Sequence, residues 1–421
     1  MRPTPTAPAP TSSRPFLLVT LLGLVSFTSY ALRTNIGVAQ KFMMPELGLS
    51  LERMGDITAS FQLAYAVFQI PTGVLGDRFG PRAVLALAVL GWGVASVLTG
   101  LVPGGAGVVV TLITLIAARV ILGIAQAATY PVGSLAISRA VSQGRRGTAN
   151  AIFISSSLLG AAITPPAISW AMVRFGWRTS FHGSAVLAAV VALVWYLFTP
   201  VRGASPQHLA HPRSVGDQVR ESIALLRDRD LLIVSFSYFF QAAVWFVFIF
   251  YFFIYLTDER GFSVLRGGVF GAMPYLTAAF IAPFGGVLAD RFGRKLGLHP
   301  GRRLVAMGGL SAAALCVILG AFAPGAYAAI AALSLSVAFI NATEGAFWST
   351  ATTLGSTHAG AAGGVLNFMG NLGGVVSIWA VPRMLHRWGW TATLGIWAGV
   401  AVVGALLWLA VRAQGTANRE S

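Results

Sequence analysis

The chain has 421 residues, 56% of them hydrophobic and only 10% charged, far from the roughly 25% charged content of an ordinary soluble domain, so water is not its main solvent. A net charge of +16 could suit nucleic acid, but the basic residues gather in the loops between long apolar runs, and no nucleic-acid role is expected. The single cysteine, Cys316, excludes an intrachain disulfide.

The N-terminal stretch to Ser13 is rich in Pro, Thr and Ala. The apolar run that follows is too long for a cleaved signal peptide and is expected to stay as the first helix. Twelve such runs follow one another, at 16–40, 55–75, 82–102, 108–132, 148–171, 180–200, 231–256, 267–289, 303–323, 326–351, 361–383 and 390–411. About 20 residues at 1.5 Å each cross a hydrocarbon core of about 30 Å. Barrel strands would be shorter and would alternate in polarity, so the runs predict transmembrane helices. Most of the 29 Lys and Arg, including Arg78, Arg82, Arg145, Arg146, Arg291, Arg294 and those of 202–229, fall on the side of the two termini. By the positive-inside rule both termini are cytoplasmic, in an inner membrane.

The long polar interruption at 201–230 carries a helical apolar pattern over Val215 to Leu226 and reads as a cytoplasmic linker with an interfacial helix. It divides the chain into two six-helix bundles, 1–200 and 231–421. Each bundle repeats one loop after its second run: Gly73-Val-Leu-Gly-Asp77-Arg78-Phe-Gly80-Pro-Arg82 and Gly286-Val-Leu-Ala-Asp290-Arg291-Phe-Gly293-Arg294-Lys295. Gly80 and Gly293 are expected to supply the backbone freedom of a tight turn. Asp77 and Asp290 can meet a helix N-terminus or an Arg as part of a cytoplasmic gate.

This loop, echoed at half-length spacing, resembles the signature of the major facilitator superfamily across the whole chain. The resemblance implies an all-α membrane fold of two pseudo-symmetric bundles, a central site near the midplane and transport by alternating access. The 48 glycines fit close helix packing.

Two arginines lie within apolar runs: Arg33 in the first and Arg119 in the fourth. A guanidinium at that depth costs about 2.5–3.5 kcal/mol on insertion scales. It therefore needs a partner, and its planar fork suits a carboxylate. Snorkelling of Arg33, or a packing role for Arg119, is the competing reading. The segments Arg33-Thr-Asn-Ile-Gly-Val-Ala, Arg145-Arg146-Gly-Thr-Ala-Asn-Ala, Gly176-Trp177-Arg178, Arg260-Gly-Phe-Ser-Val and Gly364-Val-Leu-Asn367-Phe-Met-Gly370-Asn371 together resemble the anion:cation symporter family. That family includes galactonate, hexuronate, tartrate and phthalate carriers. The resemblance makes Arg33 and Arg119 carboxylate-binding, with Tyr65 beside Arg33 and Ser157, Gln241, Trp348 and Asn367 completing a polar lining. A lone Ser, Gln or Trp in a membrane helix can equally be packing glue.

The chain departs from the family's proton-coupled sugar-acid carriers at two places, where Leu32 and Gln126 stand instead of acids. One carboxylate remains deep in a run, Glu344, and it is the candidate for proton coupling. A Glu held permanently by hydrogen bonds or an Arg is the alternative. The expected function is uptake of a small organic anion, such as a sugar acid, dicarboxylate or aromatic acid, coupled to protons. Anion exchange or uniport is the rival, and export of drugs or metabolites a weaker one. The residues suggest no enzyme, cofactor or metal site. The expected partners are the anion, a proton and membrane lipid, with the chain acting as a monomer.

Overall fold

A computed structural model describes residues 15–105, 107–201 and 215–412. The stretch to Ser13, the arginines at 202 and 213, and the C-terminal tail lie outside the described residues. Fifteen α-helices follow one another, with no strand among the described residues: α1 (Pro15–Leu47), α2 (Leu51–Phe79), α3 (Pro81–Gly100), α4 (Val108–Ala127), α5 (Thr129–Ala140), α6 (Arg146–Phe175), α7 (Trp177–Phe198), α8 (Val215–Leu225), α9 (Arg229–Ile254), α10 (Val264–Gly271), α11 (Met273–Leu296), α12 (Leu298–Ala321), α13 (Ala326–Ala342), α14 (Glu344–Gly355) and α15 (Ala359–Leu407). Ten helical stretches are long and apolar enough to cross a membrane. One of them, α15, turns back at Gly389, where φ is +71°, and supplies two spans. With the more polar α2, this makes twelve.

Most helices run past the apolar runs at one or both ends, because the polar interface still supports a helix. Three spans are interrupted instead. Pro131 has no N–H for the Ala127 carbonyl, and span four breaks between α4 and α5. Pro274 does the same to Phe270 between α10 and α11. Span ten breaks at Thr343, whose hydroxyl bonds back to the Ile340 carbonyl at 2.7 Å. Glu344 thereby becomes the first residue of α14.

Glycines set the closest helix contacts, in matching pairs in the two bundles. A Cβ at Gly160 would meet the Phe27 carbonyl at 2.3 Å, and one at Gly373 the Phe239 carbonyl at 2.2 Å. These bring span five onto span one and span eleven onto span seven. Gly123 against the Phe61 carbonyl and Gly285 against that of Ala342 join spans two and four, and eight and ten. Side chains there would push backbones apart where close packing replaces the hydrophobic drive.

The two signature loops differ where the sequence suggested identity. Gly80 turns the chain with φ +84°, because Pro81 bars the residue before it from the helical region. Gly293 does not make the second turn. Arg294 carries no such restriction, so α11 continues one turn further and Gly297 takes the positive φ, at +95°. Gly293 instead lets Gly301 approach: a Cβ on Gly301 would meet the Gly293 nitrogen at 2.4 Å.

Candidate functional site

Spans one and two of the first half pack against spans seven and eleven of the second, and span five against span eight. Polar ties cross this seam. Gln40 donates to the Phe250 carbonyl at 2.9 Å, Gln62 to Asn371 Oδ1 at 2.5 Å, and Asn367 to Gln69 Oε1. Towards the face opposite the termini come Lys41 with Asp258, Arg383 with Asp56 at 2.9 Å and His386 with Glu52 at 3.6 Å. They hold the bundles together from mid-depth to that face. The Arg383–Asp56 side chains are 35% and 40% exposed, so the pair contributes at most about 1 kcal/mol. Arg383→Gln is expected to speed hydrogen exchange across 50–60 and 378–388 by less than about tenfold, measured by mass spectrometry; unchanged exchange would mean that the pair does not help to hold the bundles together.

Arg33 lies at mid-seam, 3% exposed. Three rings surround its guanidinium, with centroids at 4.3 Å for Tyr65, 4.9 Å for Tyr30 and 5.2 Å for Phe61. Each face-on contact adds about 0.5–2 kcal/mol. Nε donates to Gln126 Oε1 at 3.1 Å, and Gln126 spends its own amide on the Ser29 carbonyl at 2.9 Å. Arg33 Nη2 has no protein partner. Gln126, which the sequence marked only as a missing acid, is thus a neutral acceptor that helps to orient Arg33.

Arg119 is 2% exposed and lies over the Phe181 ring at 5.5 Å. Its Nε and Nη2 have no protein partner. It stands seven residues before Gln126 on the same span, about 10 Å along the axis, and the ring it lies over is not one of the three around Arg33. No carboxylate lies within salt-bridge distance of either guanidinium among the described residues.

Across the seam, Glu344 accepts from Gln241 at 2.9 Å, Tyr238 at 3.0 Å and Trp348 at 3.1 Å. All three donors are neutral, and no arginine pairs with the carboxyl among the described residues. The sequence singled out Gln241 and Trp348 as lining residues, not as partners of Glu344, and passed over Tyr238, one helical turn before Gln241; the spacing i, i+3 was the available signal.

Ser157 is buried and turned back on its own helix, its hydroxyl on the Ile154 carbonyl at 2.6 Å. Asn367 belongs to the seam through Gln69 and receives the Asn371 amide on its carbonyl at 2.7 Å. In the first signature loop Asp77 stays within its bundle, 3.7 Å from Arg139. Gly73 packs on Pro131, Arg78 lies over the neighbouring Phe79 ring, and Arg82 donates to the Tyr196 carbonyl at 2.7 Å. In the second, the Asp290 charge acts on Arg302, while Arg291 and Arg294 are exposed.

Residues 22–378 match the family model described as Major Facilitator Superfamily. The chain is 30% identical to a probable sulfoacetate transporter of Cupriavidus necator, covering 89% of this chain and 88% of that one. It is 27% identical to a D-galactonate transporter of Escherichia coli, covering 94% and 95%. A hexuronate transporter of Bacillus subtilis is 24% identical, with 85% of each covered. Among solved structures, an inward-facing bacterial homologue of the human lysosomal transporter Spinster superposes with a TM-score of 0.77 at 18% identity, covering 96% and 97%. A D-xylose–proton symporter does so with 0.73 at 17%, covering 93% and 96%.

Proposed function

Because the chain belongs to the major facilitator superfamily of multi-pass membrane transporters, we propose that it moves a small organic anion across the inner membrane by rocking its two bundles, 1–200 and 231–421, about the seam. The observation that carries this reading is a pair of buried guanidiniums, Arg33 and Arg119, with unpartnered N–H groups and no carboxylate beside them. A buried cation is costly until an anion pairs with it. The fork of Arg33, stacked among Tyr30, Phe61 and Tyr65, is fixed in orientation before an acid arrives. Relatives named for sulfoacetate, galactonate and hexuronate support an organic acid without agreeing on one compound.

Both termini and the 201–230 linker face the cytoplasm in this reading, with the exposed Val219 and Ile223 of α8 set into the lipid interface and the chain working as a monomer. The ties at Asp56, Lys41 and Glu52 then close the outer face, and the Asp77 and Asp290 loops form the cytoplasmic gate. Tyr65, Gln241, Trp348, Asn367 and Ser157 complete the lining. Glu344 is the proton carrier: its neutral donors let it gain or lose a proton without breaking an ion pair. Exchange or uniport is the second reading, favoured by the neutral Leu32 and Gln126 beside Arg33. A thermal-shift panel tests the anion reading, since a bound ligand stabilises the folded protein by mass action. Organic acids are expected to raise the melting temperature and organic cations to leave it unchanged; the reverse pattern removes the proposal.

A further inference from the structure

We propose that the passenger is a dianion carrying an acid group at each end, a conclusion that rests on the anion-carrier reading and narrows it. The charge count within the seam is the basis. Arg33 and Arg119 bring two positive charges. Leu32 is buried and apolar, and Gln126, which could have met Arg33 as a carboxylate, meets it as a neutral amide at 3.1 Å. Glu344 lies on the second bundle, bound by Gln241, Tyr238 and Trp348, and forms a salt bridge with neither guanidinium among the described residues. The first bundle therefore presents two uncompensated cations.

One acid group cannot satisfy both. Arg33 sits level with Gln126, whereas Arg119 lies two turns further along the same span, against Phe181 and away from the Tyr30–Phe61–Tyr65 cage. Each guanidinium keeps N–H groups without a protein acceptor: Nη2 on Arg33, Nε and Nη2 on Arg119. Two separated forks, each with free donors, fit two separated carboxylates or sulfonates. A monoanion would engage one fork and leave the other charge buried and unpaired, the situation that costs binding most.

The test uses the purified full chain and matched probes: succinate, glutarate, adipate and 3-sulfopropionate, each against the equally long monoanion in which one acid is an amide. Binding is read by calorimetry and thermal shift. Diacids are expected to bind about 100-fold more tightly than their half-amides. Arg119→Gln is expected to lower diacid affinity far more than half-amide affinity, and so to erase that preference. Gln126→Glu, close to isosteric though it gives up the amide donated to the Ser29 carbonyl, places one negative charge beside Arg33 and is expected to lower diacid affinity more than half-amide affinity, with folding checked by thermal melting of the same sample. Half-amides that bind as well as diacids, or a Gln126→Glu protein that keeps its full diacid preference, would overturn the dianion inference and leave the anion carrier standing. If no acid binds and cations do, the carrier reading itself fails.

Discussion

Replacing Arg33 by Gln is expected to abolish anion binding and transport while leaving the protein folded, with an unchanged or slightly raised melting temperature. The charge gives the fold three ring contacts of about 0.5–2 kcal/mol each, but these are offset by its burial cost, with one guanidinium nitrogen unpartnered and Gln126 supplying a single neutral acceptor at 3.1 Å. Glutamine at 33 can still donate to Gln126, and removing an uncompensated buried cation costs little stability or improves it. The ligand loses a charge-assisted bond in a desolvated site, about 2–5 kcal/mol, or roughly 30- to 3000-fold in affinity. Arg33→Lys is also expected to fail, because an ammonium cannot form the two-pronged bond or stack within the three-ring cage. Binding is checked by calorimetry and folding by thermal melting of the same sample. A Gln variant that unfolds would make Arg33 structural; one that binds normally would remove it from the site.

Glu344→Gln is expected to separate substrate movement from proton movement. The amide oxygen can still accept from two of Tyr238, Gln241 and Trp348, and its nitrogen leaves the third donor unsatisfied, at a cost of about 1–3 kcal/mol of stability. The group no longer gains or loses a proton. Uphill accumulation of substrate driven by a pH gradient is therefore expected to fall by more than about tenfold, while exchange of labelled for unlabelled substrate continues. Both are measured in proteoliposomes. If gradient-driven accumulation survives, coupling lies elsewhere, and Glu344 is a polar anchor of the second bundle.

The scaffold was legible because its signals are local. Twelve apolar runs, a polar interruption at mid-length and a repeated loop each occupy one stretch of sequence, and the membrane permits only helices to fill them. Gly293 shows where even a repeat misleads: the motif matched, but Pro81 has no counterpart after it, so the second turn moved to Gly297. The break at Thr343 depends on one hydroxyl bonding backwards and leaves no mark in a hydropathy profile. Of the candidate site, the buried arginines and the deep glutamate announced themselves by their cost in lipid. Their surroundings did not, because the contacts join residues far apart in the chain. Arg33 and Gln126 are separated by 93 positions, Tyr238 and Glu344 by 106, Gln62 and Asn371 by 309. Only the packing of span one on four, of seven on ten and of two on eleven brings them together.

The most direct test of the account is uptake of a labelled small organic acid into proteoliposomes, with a trapped pH indicator recording internal acidification in the same vesicles. Wild-type protein is expected to accumulate the acid and acidify the lumen together, with both signals lost in Arg33→Gln and only the coupling lost in Glu344→Gln. Accumulation that persists in Arg33→Gln would contradict the claim that this buried guanidinium receives the passenger.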